Sequence, residues 1–118
     1  MRIFLVALTS FILAGPVSAI AFERVVQREG FLSLIKDRDL TRLGIRLTVT
    51  QDGKIKGRAF GWKITGDWTW DGGYFCRDLY LDDSELDMAN CQLVQVKGNT
   101  LRFTSDKGSG DYADLRLK

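Results

Sequence analysis

The stretch Gly66-Asp67-Trp68-Thr69-Trp70-Asp71-Gly72-Gly73-Tyr74-Phe75-Cys76-Arg77 decides the fold. Trp68 and Trp70 alternate with Asp67, Thr69 and Asp71, the two-residue period of a strand with one apolar face. Asp71-Gly72-Gly73 turns the chain, because glycine enters the left-handed backbone region at no steric cost. Tyr74 to Leu81 then returns as a strand of aromatic and branched residues. Aromatics bury large areas and dominate a small core, so the rest of the chain is expected to pack around this hairpin.

Before the hairpin, Arg28 to Asp37 places Phe31, Leu34 and Ile35 at helical spacing with charges on the other side, which predicts one short amphipathic helix. Gly30 weakens it by about 1 kcal/mol relative to alanine. From Leu43 the period changes to two. Ile45, Leu47 and Val49 alternate with Arg46, Thr48 and Thr50, and Asp52-Gly53 supplies a tight turn. Lys54 to Phe60 returns, after which the apolar parity switches to Phe60, Trp62 and Ile64. That switch predicts a bulge or bend near Gly61, and Gly57 and Gly61 are expected where backbones crowd. Gly66 is expected to open the next strand.

After the hairpin, Asp82 to Asp87 reads as an acidic loop and Met88 to Val96 as a strand. Lys97-Gly98-Asn99 turns into a strand over Thr100 to Ser105. Asp106 to Gly110 is a polar loop, and Asp111 to Leu117 is the last strand. The reading is mainly β: a short N-terminal helix plus a strongly curved antiparallel meander or small barrel of about seven strands, with the helix plugging one opening.

Residues 1–21 read as a signal peptide. Met1-Arg2 gives a positive start, Ile3 to Leu13 is an apolar run interrupted only by Thr9 and Ser10, and small residues precede cleavage after Ala19 or Ala21. The apolar run is shorter than the roughly 20 residues of a spanning helix, so no stable membrane span is expected after cleavage. Residues 22–118 then form a single small β domain of periplasmic or secreted location. All 15 acidic residues and 16 of the 17 basic ones lie beyond Ala21, a net charge of 16 minus 15, or +1. That balance gives no argument for nucleic acid. Cys76 and Cys91 are expected to form one disulfide, clipping the hairpin around the acidic loop. The 14 residues between them correspond to about 3 kcal/mol of stabilisation in the chain-entropy description.

Histidine is absent, which removes the commonest general base and the commonest zinc ligand. No catalytic residue, cofactor or metal site is assigned. Asp82, Asp83, Glu85 and Asp87 lack the spacing of a calcium loop and read as surface. Gly108-Ser109-Gly110 precedes a strand and has none of the context of a phosphate loop. Trp62, at the parity switch, is the aromatic expected to be partly exposed. Trp62, Tyr74 and Arg77 at the margins of the hairpin are candidate contacts for a ligand or partner. Arg46, Lys54, Lys56 and Arg58 share one face of their hairpin. They fit an anionic partner, such as lipid headgroups, a polyanion or an acidic protein surface, or else a solvated face whose lysines discourage edge pairing.

From Gly61 to Cys76, and from Cys91-Gln92-Leu93-Val94 through Thr104-Ser105-Asp106-Lys107-Gly108, the chain resembles a family of small secreted bacterial proteins of unassigned function. Some members of that family carry the label dihydrodipicolinate reductase. This chain departs from the enzyme of that name in size, in export, and in lacking a dinucleotide fingerprint and histidine. Gly66-Asp67-Trp68 is also similar to the Gly-x-Trp of lipocalin-like folds, which implies a barrel. The expected function is an exported periplasmic binding or accessory module whose partner is a small apolar ligand or an envelope protein. The alternative is a secreted lysozyme or protease inhibitor using the Ser105 to Asp111 loop, and the reductase activity of the label comes last.

Overall fold

A computed structural model of the chain describes residues 21–118, so the expected signal segment, Ala21 apart, lies outside the described residues. The elements run β1 (Glu23–Arg24), α1 (Arg28–Ile35), β2 (Leu40–Arg42), β3 (Ile45–Val49), β4 (Lys54–Ala59), β5 (Trp62–Asp71), β6 (Tyr74–Leu81), β7 (Ser84–Lys97), β8 (Thr100–Thr104) and β9 (Tyr112–Leu117). Strands β2 to β9 pair antiparallel in sequence order. β9 pairs back onto β2, closing an eight-stranded barrel, and β1 adds to β7 from outside. Closure removes the exposed edges that an open sheet of this size would carry.

The barrel has eight strands where about seven were expected, because β2 is a three-residue strand too short to show a period. The bend expected at Gly61 is instead a complete two-residue turn. Ala59 pairs with Trp62, and Phe60 (φ 51°) and Gly61 (φ 85°) both lie in the left-handed region. A reversal switches the apolar parity as a bulge would, which is why the two are indistinguishable in sequence. β5 therefore begins at Trp62 rather than Gly66. The acidic loop is likewise a two-residue Asp82-Asp83 turn, with Ser84 to Asp87 already in β7. Gly57 does relieve crowding: a Cβ there would lie 2.0 Å from the Arg46 carbonyl oxygen. Gly66 serves the same end, its Cβ position lying 2.3 Å from the Asp78 oxygen, whereas a Cβ at Gly61 would meet nothing.

Helix α1 plugs the end of the barrel at the β3–β4, β5–β6 and β7–β8 turns. Phe31, fully buried, reaches in from it. Its ring lies 5.4 Å from Trp68, 5.1 Å from both Trp70 and Phe75, and 6.4 Å from Phe103. The two indoles keep their polar ends satisfied, the Trp68 Nε1–H donating to Thr50 O and the Trp70 Nε1–H to Val26 O, each at 2.9 Å. Trp68 is thus core and Trp70, half-buried, packs against it, while Ile35, Val94 and Leu101 complete the cluster. On the outer face Cys76 and Cys91 stand opposite each other in the β6–β7 register and are joined by the disulfide. That bond is in keeping with an oxidising compartment. No helix among the described residues is long and apolar enough to cross a membrane.

Two predictions test this packing. Phe31→Ala empties a site ringed by four aromatics and should cost about 3–5 kcal/mol, read by urea denaturation. A loss below about 1 kcal/mol would mean the plug is peripheral. The second concerns Asp114, whose carboxyl is held below the usual range by Arg102, which donates to it through Nε at 2.8 Å and Nη2 at 3.0 Å. A depressed folded-state pKa stabilises above the unfolded value and loses that stability as pH falls through the folded one. The pair lies largely in solvent, so the effect is small. Stability should fall below about pH 4, less steeply in Asp114→Asn. An unchanged slope in that variant would remove the pair from the account.

Candidate functional site

The opposite end of the barrel is uncovered by α1 and is formed by the β2–β3, β4–β5, β6–β7 and β8–β9 connections, the last holding one 3-10 turn at Asp106–Gly108. Of the six exposed large hydrophobic residues among those described, five sit there: Leu43, Phe60, Trp62, Leu86 and Tyr112; the sixth, Val26, lies at the helix end. Strand alternation explains why this end is not filled. The inward residues of β5 run Ile64, Gly66, Trp68 and Trp70, so their bulk is concentrated toward α1.

Below this end lies a cavity of about 80 Å³, walled by Leu40, Leu47, Leu79, Phe103 and Leu115, with Arg77 and Gln92 as its polar members. Eight strands give an interior that side chains nearly fill, so a remnant of this size is expected. By proportion with a benzene-binding cavity of about 150 Å³, it holds roughly three or four heavy atoms. It therefore takes one small group, not an entire drug-sized ligand.

Arg77 points inward because it shares the parity of Phe75 and Leu79 on β6. Its Nε donates to Gln92 Oε1 at 3.2 Å and its Nη1 to Asp87 Oδ2 at 3.1 Å. Nη2 has no protein acceptor among the described residues. Burial lowers the guanidinium pKa, and Asp87 opposes that shift by charge and hydrogen bond; an arginine stays charged regardless. The Asn90 amide donates to Asp87 at 2.9 Å and to the Ser105 hydroxyl at 3.0 Å, so the carboxylate is fixed from two sides. The result is a held positive charge in an apolar wall with one amino group to spare. Asp87, Asn90, Gln92 and Ser105 carried no motif in the sequence. Only the interior parity of Asn90 and Gln92 on β7, polar at positions that should be apolar, marks them.

The other candidates separate. Trp62 is 56% exposed on the rim, as its parity position suggested. Tyr74 faces outward, with Arg24 and Lys107 over its ring, and is not brought to Arg77 or Trp62. Arg46, Lys54, Lys56 and Arg58 do share the outer face of β3–β4. Arg46 stands directly opposite Arg58 there, and Arg58 opposite Lys63. Arg46 is paired with Asp39 at 3.0 Å and Lys54 with Asp67 at 2.6 Å, while Arg58 and Lys63 have no carboxylate partner among the described residues. Among those residues no group of three His, Cys, Asp or Glu side chains is placed to hold a metal ion.

The two partners differ in exposure, the Arg77 side chain being 16% exposed and that of Asp87 45%. A carboxylate left without its arginine is therefore still hydrated and still accepts from Asn90, whereas a guanidinium left without its carboxylate is largely cut off from water. Arg77→Met should therefore leave stability within about 1 kcal/mol of the parent. Asp87→Ala, which strands the guanidinium, should cost about 1–3 kcal/mol. Urea denaturation of the two variants reads the order, and the reverse order would show that Arg77 is a structural residue. Comparison with protein-family models, with curated proteins and with solved structures gives no significant match.

Proposed function

We propose that this protein is an exported, periplasmic binding or accessory module that receives a small amphiphilic group in the mouth of its barrel. One observation carries the reading: the Arg77 guanidinium, 16% exposed and with no protein acceptor for Nη2 among the described residues, lines an apolar cavity toward the uncovered end of a barrel that is tightly packed at the other. A group with a short apolar part and an anionic head matches both features. The head accepts from Nη2, and the apolar part displaces poorly held water from between Leu47, Leu79 and Leu115. The ligand-holding barrel implied by the Gly66-Asp67-Trp68 similarity is retained only in this reduced form, since the interior takes a group and not a whole lipophilic molecule. The reductase label of some similar proteins has the least support, because dinucleotides are held at a strand-to-helix turn of a parallel sheet, and the described residues form an antiparallel barrel.

Titration with butanoate and with butanol, followed by tryptophan fluorescence, tests the reading. A charge-assisted hydrogen bond of about 1.5–3 kcal/mol should make the acid bind about ten- to a hundredfold more tightly than the alcohol. Arg77→Met should erase that preference. Equal binding of the two, or a preference that survives in Arg77→Met, would remove Arg77 from the site.

A second reading, inhibition of a secreted hydrolase, is favoured by the Asp106–Gly110 loop. Asp106 (φ 53°) and Lys107 (φ 56°) are both left-handed, and the loop is closed by Gly110 N–H donating to Ser105 O at 2.9 Å. A preorganised exposed loop loses little entropy on insertion into a cleft. Lysozymes and proteases assayed with micromolar protein decide this reading, and no inhibition across them would end it.

A further inference from the structure

The two hairpin tips at the uncovered end carry a feature that the cavity does not use. Leu43 is 92% exposed and Phe60 71%. They belong to adjacent turns that touch: Phe60 N–H donates to Gly44 O at 2.7 Å, and the Phe60 ring lies where a Cβ on Gly44 would be. Trp62 continues the same patch. Phe60 holds a left-handed backbone conformation in a two-residue hairpin turn, a position that asparagine, aspartate or glycine normally fills. A bulky aromatic there is a strained choice, and the strain obtains no core packing in return.

The charges around these tips are also arranged against the domain's own stability. Arg46, Arg58 and Lys63 are direct cross-strand neighbours on the outer face of β3–β5, and like charges in such positions repel. The Arg58 guanidinium donates through Nη1 to Gly61 O at 3.0 Å, which fixes its charge beside Phe60. Arg42 directly precedes Leu43 in the chain. Large apolar side chains on a convex tip, collared by cations, match a surface that is negatively charged outside and apolar just beneath.

We propose that the β2–β3 and β4–β5 hairpin tips dock this protein onto an anionic lipid surface, with Leu43, Phe60 and Trp62 entering the interface and Arg42, Arg58 and Lys63 on the headgroups. A soft lipid interface accepts a convex apolar tip without a complementary pocket, and aromatic rings favour that depth. A soluble polyanion would use the cations and leave the aromatics idle. The acidic Asp82-Asp83 turn adjoins this patch, Asp82 N–H donating to Lys63 O at 2.8 Å. It confines the contact to the β2–β5 side of the end. The inference does not rest on the ligand reading, since it uses none of the cavity residues.

Co-sedimentation with vesicles of phosphatidylcholine alone, and with vesicles also containing phosphatidylglycerol, tests it. Binding is expected to the anionic vesicles, weakened by salt, and weakened about tenfold or more in Arg58→Glu/Lys63→Glu, given about 1 kcal/mol for each basic residue near the surface. Phe60→Asn gives the sharper readout, because it relieves the turn: its Tm should match or exceed the parent's while vesicle binding falls. Arg77→Met should bind vesicles as the parent does, which separates this site from the cavity. No binding to anionic vesicles would overturn the proposal. Binding that survives both Phe60→Asn/Trp62→Ala and Arg58→Glu/Lys63→Glu would place the contact elsewhere in the chain and overturn it equally. Sensitivity to the charge variant alone, matched by heparin binding of similar strength, would identify a polyanion surface instead.

Discussion

The insertion of Phe31 among Trp68, Trp70, Phe75 and Phe103 is the contact on which the rest of the structure depends. It joins the helix to β5, β6 and β8 at one point, and it is made by a side chain with no exposed surface. An eight-stranded barrel has room for little more than its own side chains. Once the helix and four aromatics occupy one end, the volume there is used up. Toward the other end the inward leucines are interrupted by the small Ala113 and Gly57 and by the polar Gln92 and Arg77. The division of the molecule into a packed end and an uncovered end follows from where the bulk was placed along the strands.

That division also explains the two kinds of polar group in the barrel wall. Toward the helix, the two indole nitrogens of Trp68 and Trp70 are each paired with a backbone carbonyl. Toward the open end, Arg77, Asp87, Asn90, Gln92 and Ser105 form a connected set. A packed apolar wall of similar volume would serve stability as well or better. The set is therefore better understood as holding Arg77 in one orientation than as strengthening the barrel. Outside, the tip of β4–β5 shows the same trade, with an aromatic in a left-handed turn and neighbouring cations of like sign.

Much of the fold was legible because the alternation in β3, β5, β8 and β9 is strict and the Asp-Gly and Gly-Gly turns are explicit. The helix plug followed from three apolar residues at helical spacing, and the disulfide from two cysteines on strands flanking one turn. Reading failed where local chemistry is unusual. Phe60-Gly61 did not look like a hairpin turn, because phenylalanine is a poor occupant of a left-handed position. β2 was invisible because three residues cannot display a period. The candidate site was half legible: Trp62 and Arg77 stood out by type and position, but Tyr74 did not join them. Asp87, hidden in an apparent loop, became the partner of Arg77 only once β7 was seen to begin at Ser84. Leu43 and Lys63 acquire meaning only through the register that brings the two tips together.

The central claim is that the Phe31 plug is part of the barrel's cooperative unit and leaves the far end free to bind. Native-state amide hydrogen exchange tests it most directly. The amides of Phe31 and Lys36, which donate to Gln27 O and Leu32 O at 3.1 Å, should exchange only with global unfolding, at the same free energy as those of Phe75 and Val94 in the barrel wall. Exchange of the helix amides through a separate opening, well below the free energy of the barrel strands, would contradict the claim and make the helix a movable cap.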